Sequence, residues 1–366
     1  MNRIAVALVA AMLFVAAAAA ADPLTPFHGP SQPVTVADVV PHYDENRENG
    51  SYSEWWAFVF RLDDGYWAYV RFVISNVGLG KGKAKVTAQF KTPDGQDYSE
   101  SSEYEPGQWS AAKDHLEIKF GDNTISGALD AVKIHVKNQS FEADWQLANI
   151  APPWKPGSGK AQYGSSSSRY YQFQMLAPVA RVEGKVKLAD DDAVLTPKGL
   201  IYGEHQLLSV GMHEQAKRWA RYRVLDPHTT FVMSNIVTPD AYGGTPIQFA
   251  VLFQDGKVAF ESLKFDVSEA NPLQDPKKPE YLAPQFLELK SDAAGAVFHA
   301  VVKATKLTSR EDFLENASAA ERFVVSKFAK PIMYYFDGVF GAEVTKDGAK
   351  AEYKGKGTYY YTVVNL

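Results

Sequence analysis

The run Tyr202-Gly203-Glu204-His205-Gln206 concentrates more reactive side chains than any other stretch of the chain. On an extended strand successive side chains alternate between faces, so Tyr202, Glu204 and Gln206 share one face and Gly203 and His205 the other. A phenol, a carboxyl and an amide meeting in an apolar cavity would raise the carboxyl pKa and equip Glu204 as a general acid. The same residues also make a satisfied polar cluster at a barrel rim, and no second catalytic group accompanies Glu204 in sequence. Glu54-Trp55-Trp56 is the second arresting segment. Its two indoles must point to opposite faces, one inward and one outward or toward a neighbouring domain. Each suits a core position or the wall of an apolar ligand cavity. Trp219 and Tyr222 follow the first run and offer π faces to a cation. With Tyr69, Tyr334 and Tyr335 they complete a candidate ligand-binding set of Trp55, Trp56, Tyr69, Tyr202, His205, Trp219, Tyr222, Tyr334 and Tyr335.

Other chemistries find little support. His28, His42, His115, His135, His213, His228 and His299 are scattered, with no HxH or HxxxH pair, so no metal site is expected. No G-x-S-x-G, P-loop or dinucleotide fingerprint is present, and no cofactor is expected. Glu100, Glu103 and Glu105 lie near Trp109, which suits a solvated acidic face or, more remotely, a paired-carboxylate glycosidase. The absence of cysteine excludes disulfides and thiol catalysis. A net charge of −5 with no basic field argues against a nucleic-acid partner.

The elements that must position these residues are strands. Residues 1–21 read as a secretory signal: Arg3, an apolar run over 4–15, alanines over 16–21, and an A-x-A cleavage site before Asp22. The mature protein is then expected in the periplasm or outside the cell. Residues 22–50, with five prolines, read as an extended arm. Strand signals follow at 54–62 and 66–75 around the Asp63-Asp64-Gly65 turn, and further strands at 83–92, 115–121, 131–136, 140–147, 170–176 and 180–188. Residues 151–169 read as a surface loop or a lid. Phe72-Val73-Ile74-Ser75-Asn76-Val77 returns as Phe231-Val232-Met233-Ser234-Asn235-Ile236, and Gln89-Phe90 with Asp94-Gly95 returns as Gln248-Phe249 with Asp255-Gly256. Repeats at so long and constant an offset indicate duplicated whole domains. The fold class expected is all-β, two tandem β-barrels, with domains over 51–192 and 193–366. One helix is expected near the C-terminus, from a Ser309/Asp312 capping box through Phe313, Leu314, Ala317, Ala320 and Val324 to Pro331. The segment 327–336 then reads as a helix end followed by a core strand, or as a basic, aromatic lip meeting lipid head groups.

These segments resemble the tandem lipocalin-like superfamily, which includes carotenoid 1,2-hydratase, the AttH proteins and the fungal survival-factor proteins. Glu54-Trp55-Trp56 is similar to the opening of AttH and hydratase members. His205-Gln206, Gly211-Met212, Ala216-Lys217-Arg218-Trp219, 238–243 and the Lys330-Pro331 to Tyr334-Tyr335 stretch are similar, in order, to the survival-factor proteins. The resemblance implies two calyx-like domains packed together with ligand near their apolar interior or junction. It further implies either handling of ceramide-type lipids or hydration of an isoprenoid double bond. The expected function is an exported carrier of an apolar ligand such as a sphingolipid or isoprenoid, with transient membrane contact. The alternative is a hydratase or cyclase acting on an apolar polyene, with Glu204 as the acid. A carbohydrate-binding protein is a third, weaker possibility, since exposed aromatics also stack on sugars.

Overall fold

The computed structural model describes residues 22–77, 81–293, 295–315 and 329–364. The signal sequence expected over 1–21 lies outside the described residues. Strands dominate because alternation does. Lys83–Lys91, reading KAKVTAQFK, buries Ala84, Val86, Ala88 and Phe90 and turns its lysines outward. Asp64 and Gly65 both take left-handed backbone, with φ of 58° and 84°, which closes the turn between Ser53–Leu62 and Trp67–Ser75.

Among the described residues the strands form two antiparallel sheets of 14 and 9 strands. The first, nearly closed into a barrel, runs in space Asp97–Tyr104, Lys83–Lys91, Trp67–Ser75, Ser53–Leu62, Lys198–Leu208, Tyr170–Leu188 and Phe141–Asn149. It continues through Ala131–Lys137, Asn123–Ala128 and Leu116–Phe120 to Trp109–Ala111. The second runs Lys257–Ser262, Pro246–Gln254, Thr229–Val237, Arg218–Val224, Ala349–Val363, Ile332–Lys346, Ala296–Asp312, Leu282–Ala293 and Asp266–Gln274. The order is the same in both halves. Each begins with a meander and returns its last strand to pair with its first: Lys198–Leu208 on Ser53–Leu62, and Ala349–Val363 on Arg218–Val224. The sequence repeat falls on equivalent strands of the two sheets, Trp67–Ser75 with Thr229–Val237 and Lys83–Lys91 with Pro246–Gln254.

Each sheet encloses a core, and a third core joins them. Trp56, Phe58, Phe60, Phe72 and Trp145 fill the first interior. Tyr222, Phe231, Phe298, Tyr334 and Tyr359 fill the second. Between the sheets lie Phe27, Tyr171, Phe173 and Tyr202 against Ile247, Phe249 and Phe253, with the Phe173 and Phe249 rings 4.7 Å apart. Thr229–Val237 is therefore buried on both faces and reads as an unbroken run, Thr230 to Ile236, instead of alternating.

Several expectations change. The chain passes to the second sheet after Leu208, not at residue 192, because Lys198–Leu208 is hydrogen-bonded on both sides within the first sheet. Residues 151–169 are not a surface loop. Ala151, Trp154, Lys155 and Ala161 are buried, Lys160–Tyr163 is a strand, and only Pro152 and Ser165–Ser168 are exposed. The arm at 22–50 is docked. Leu24–Thr25 pairs with Lys160–Tyr163, and short helices at Val36–Val39 and Tyr43–Asn46 lie against the first barrel. Ser309 and Asp312 do not cap a helix. They belong to the strand Ala296–Asp312, paired with Ile332–Lys346, and Asp312 bonds Lys278 at 2.6 Å. Residues 316–328 of that expected helix, Lys327 and Phe328 among them, lie outside the described residues.

Candidate functional site

Three places receive the residues singled out from sequence. Trp56 and His205 point into the first barrel, their rings stacked at 4.5 Å with 5° between planes. Tyr222 and Tyr334 point into the second barrel, where Tyr222 donates to the Gly338 carbonyl and Tyr334 to Asp275. Trp55, Tyr202 and Trp219 pack at the junction of the two sheets. Tyr69 stacks on Trp67, and Tyr335 packs on Tyr360. The nine residues thus do not share one cavity.

The junction holds the first polar cluster. Alternation along Lys198–Leu208 sends Tyr202, Glu204 and Gln206 toward the second sheet, while Arg221 comes across from Arg218–Val224. Tyr202 donates to Glu204 Oε2 at 2.7 Å and Gln206 Nε2 to Oε1 at 2.5 Å. Arg221 Nη1 lies 3.5 Å from Glu204 Oε1, and Nη2 donates to Tyr171 and to Gln206 Oε1, each at 2.7 Å. Burial, then the Glu204 charge, pushes the Tyr202 phenol well above its usual pKa. Burial opposes the charge on Arg221, yet Tyr171, Tyr360 and Glu204 together hold its pKa well above the usual value. The void lined by Tyr202, Glu204, Arg221 and Phe249 measures about 10 Å³, room for about one water molecule. A carboxyl, a guanidinium and a phenol placed so close can move a proton, but only small reactants fit without rearrangement.

The second cluster is one the sequence did not suggest. Glu54, fully buried inside the first barrel, receives four donors. His205 Nε2 lies 2.7 Å from Oε1 and His42 Nδ1 3.1 Å from the same oxygen. The His42 backbone N–H donates to Oε2 at 3.0 Å, and the Tyr52 hydroxyl also donates to Oε2. Burial alone would push the Glu54 carboxyl up; the hydrogen bonds from His205 and His42 outweigh it and hold the pKa at about 2. Burial works against charge on His42, but Glu54 holds its pKa above the usual value. The docked arm makes this possible: it supplies His42, and the Asp38 carbonyl that lies 2.9 Å from His205 Nδ1.

A third feature is a cleft of about 410 Å³ at the end of the second sheet. Pro272, Leu282, Pro284, Tyr361 and Val363 form its apolar lining, and Lys217, Arg218, Glu269 and Glu280 its charged part. Leu282 is 48% exposed there. None of the nine sequence candidates lines it. Its residues come from the hairpin of Asp266–Gln274 with Leu282–Ala293 and from the distant pair Arg218–Val224 and Ala349–Val363, so no single local motif marks it.

Two barrel-type sheets with matching strand order, packed through an apolar junction, define an all-β protein of lipocalin-like type. Within that class the chain belongs to the Svf1 family, whose model matches residues 46–364. Solved structures share the fold at low identity. An AttH-like protein of Nitrosomonas europaea is 14% identical with a TM-score of 0.56, covering 91% of this chain and 100% of its own. CghA is 11% identical with a TM-score of 0.60, covering 94% and 98%. Kievitone hydratase of Nectria haematococca is 12% identical with a TM-score of 0.52, covering 94% and 99%. No curated protein sequence matches the chain.

Proposed function

We propose that this protein is an exported carrier of an apolar small molecule with a polar end, of the sphingolipid or isoprenoid class, held in the cleft of the second sheet. The observation that carries this reading is the size and lining of that cleft. Its volume of about 410 Å³ falls in the range of small-molecule sites, about 300–1,000 Å³. Leu282, Pro284, Tyr361 and Val363 offer area to a hydrocarbon chain, and Lys217 and Arg218 offer charge to a head group. Burial of ten methylenes would contribute about 8 kcal/mol before ordering costs. The signal-like residues 1–21 support export, and Lys217 and Arg218, paired with Asp240 and Glu269, give the cleft a polar rim suited to a head group. The test is mass spectrometry of solvent-extracted protein for wild type and Leu282→Glu, with titration of a fluorescent long-chain amphiphile. Wild type should retain ligand, and Leu282→Glu should bind at least about tenfold more weakly, because a charge replaces apolar wall. No retained ligand and equal titrations would sink the carrier reading.

A second reading rests on the Glu204 cluster. A carboxyl hydrogen-bonded by Tyr202 and Gln206 beside a buried guanidinium is equipped for acid–base work. The fold is shared with a kievitone hydratase and with CghA, solved also in complex with Sch210972. Under this reading Glu204→Gln abolishes turnover of a polyene while leaving its binding nearly intact. Under the carrier reading no product forms in either protein.

A further inference from the structure

We propose that His42, Glu54 and His205 form a binding site for a divalent transition-metal ion of the zinc type. The three side chains come from the docked arm and from two neighbouring strands of the first barrel, and their ligand atoms all lie within 4.8 Å of one another. Two imidazole nitrogens face a single carboxylate oxygen, His205 Nε2 at 2.7 Å and His42 Nδ1 at 3.1 Å. Two histidines and a glutamate are a zinc-type donor set, and nitrogen ligands of this kind disfavour magnesium and calcium.

The surroundings match what a ligating histidine needs. A ring nitrogen that binds metal leaves the other to donate its N–H to a fixed acceptor. His205 Nδ1 lies 2.9 Å from the Asp38 carbonyl, which can only accept. Gln174 Nε2 also lies against Nδ1, and Nε2 faces Glu54 Oε1 at 2.7 Å, where a bound ion would take the place of the proton that bridges them. Tyr52 and the His42 backbone N–H fix the other carboxylate oxygen, so Glu54 is oriented from behind. Trp56 stacks on the His205 ring and donates to Val39 O at 2.8 Å, which holds that ring in place. Access is from one side only: the side chains of Glu54 and His205 are 0% exposed, that of His42 17%. The ion would therefore pin the arm to the barrel through His42.

The test is titration of the full, chelator-treated protein with Zn²⁺ by calorimetry, and with Co²⁺ and Cu²⁺ by tryptophan emission, because Trp56 sits against a proposed ligand. We expect one ion per chain, with quenching by Co²⁺ or Cu²⁺ that saturates at the same stoichiometry. His42→Ala should weaken binding by about 100-fold or more, since losing even an outer partner of a ligand costs about 10–100-fold. His42 is only partly buried, and His299→Ala, at an exposed histidine, serves as the matched control with unchanged affinity. Absence of a stoichiometric site in the wild type overturns the proposal on its own and leaves a hydrogen-bonded His–Glu–His triad. So does a site that His42→Ala leaves at full strength.

Discussion

Arg221→Met would remove the one guanidinium that crosses from the second sheet to Glu204, Gln206 and Tyr171, while keeping a stem of similar length. In the native protein that guanidinium makes two bonds of 2.7 Å and stands 3.5 Å from Glu204 Oε1, with the two side chains 13% and 9% exposed. Hydrogen bonds from a charged donor are worth about 1.5–3 kcal/mol each, and removing one partner of a buried ion pair costs about 3–5 kcal/mol. These figures overlap because they count the same contacts, so the expected loss is about 3–5 kcal/mol, not their sum. Glu204 would keep Tyr202 and Gln206 as donors, which places the loss toward the lower end. Adding Glu204→Gln should restore at least about 1 kcal/mol, because no unpaired charge then remains at the junction. Urea unfolding of wild type, both single variants and the double variant, followed by tryptophan emission and far-ultraviolet circular dichroism, measures the cycle. A single-variant loss below about 1 kcal/mol, or losses that simply add, would refute the view that this pair clamps the sheets together.

Two further outcomes follow from other parts of the molecule. Asp275 is bonded by Arg310 and Tyr334, each at 2.6 Å. Burial pushes its carboxyl up, but these bonds prevail and hold the pKa at about 2 against an ordinary 3.8. A depressed carboxyl contributes stability above its unfolded pKa and loses it as pH falls through the folded one. Roughly 2 kcal/mol should therefore disappear between pH 3.8 and about 2, and Asp275→Asn should flatten that part of a stability–pH curve measured by urea unfolding. The signal-like residues 1–21 should be absent from the exported protein, with Asp22 at its start. Asp22 N already donates to the Ala241 carbonyl at 2.7 Å, a bond the freed amine can keep; N-terminal sequencing that begins at Met1 would contradict this.

The strands and the duplication were legible because both are written in local pattern. Alternation at 202–206 correctly separated Glu204 from His205, though the face shared by Tyr202, Glu204 and Gln206 meets the partner sheet and not a barrel interior. Trp55 and Trp56 split as alternation requires, Trp56 inward and Trp55 to the junction. The Glu54 cluster escaped because His42 and His205 lie 12 and 151 positions away from it. Metal-like spacing within a helix or hairpin cannot reveal ligands assembled from an arm and two strands. The helix start expected at Ser309 and Asp312 shows the reverse: both residues carried the right local signal, but pairing with Ile332–Lys346 and the contact to Lys278 overrode it there. Residues 151–169 looked like a loop from their Pro, Gly and Ser content. Trp154, whose indole donates to Glu261 at 2.8 Å, draws them into the junction instead.

The return of each half's last strand to its first governs how the chain can be made. In the second sheet the final 15-residue strand, Ala349–Val363, lies between Arg218–Val224 and Ile332–Lys346. While synthesis is incomplete that central place is empty, and the edges of its two neighbours have no partner. The first barrel becomes complete once Leu208 has emerged, so the two halves ripen at different times during translation. Closing loops of this length makes folding slow, since ordering entropy is spent before the pairing is gained. The nascent second half therefore stays unclosed until Val363 has been made. That is the state most exposed to edge-to-edge aggregation.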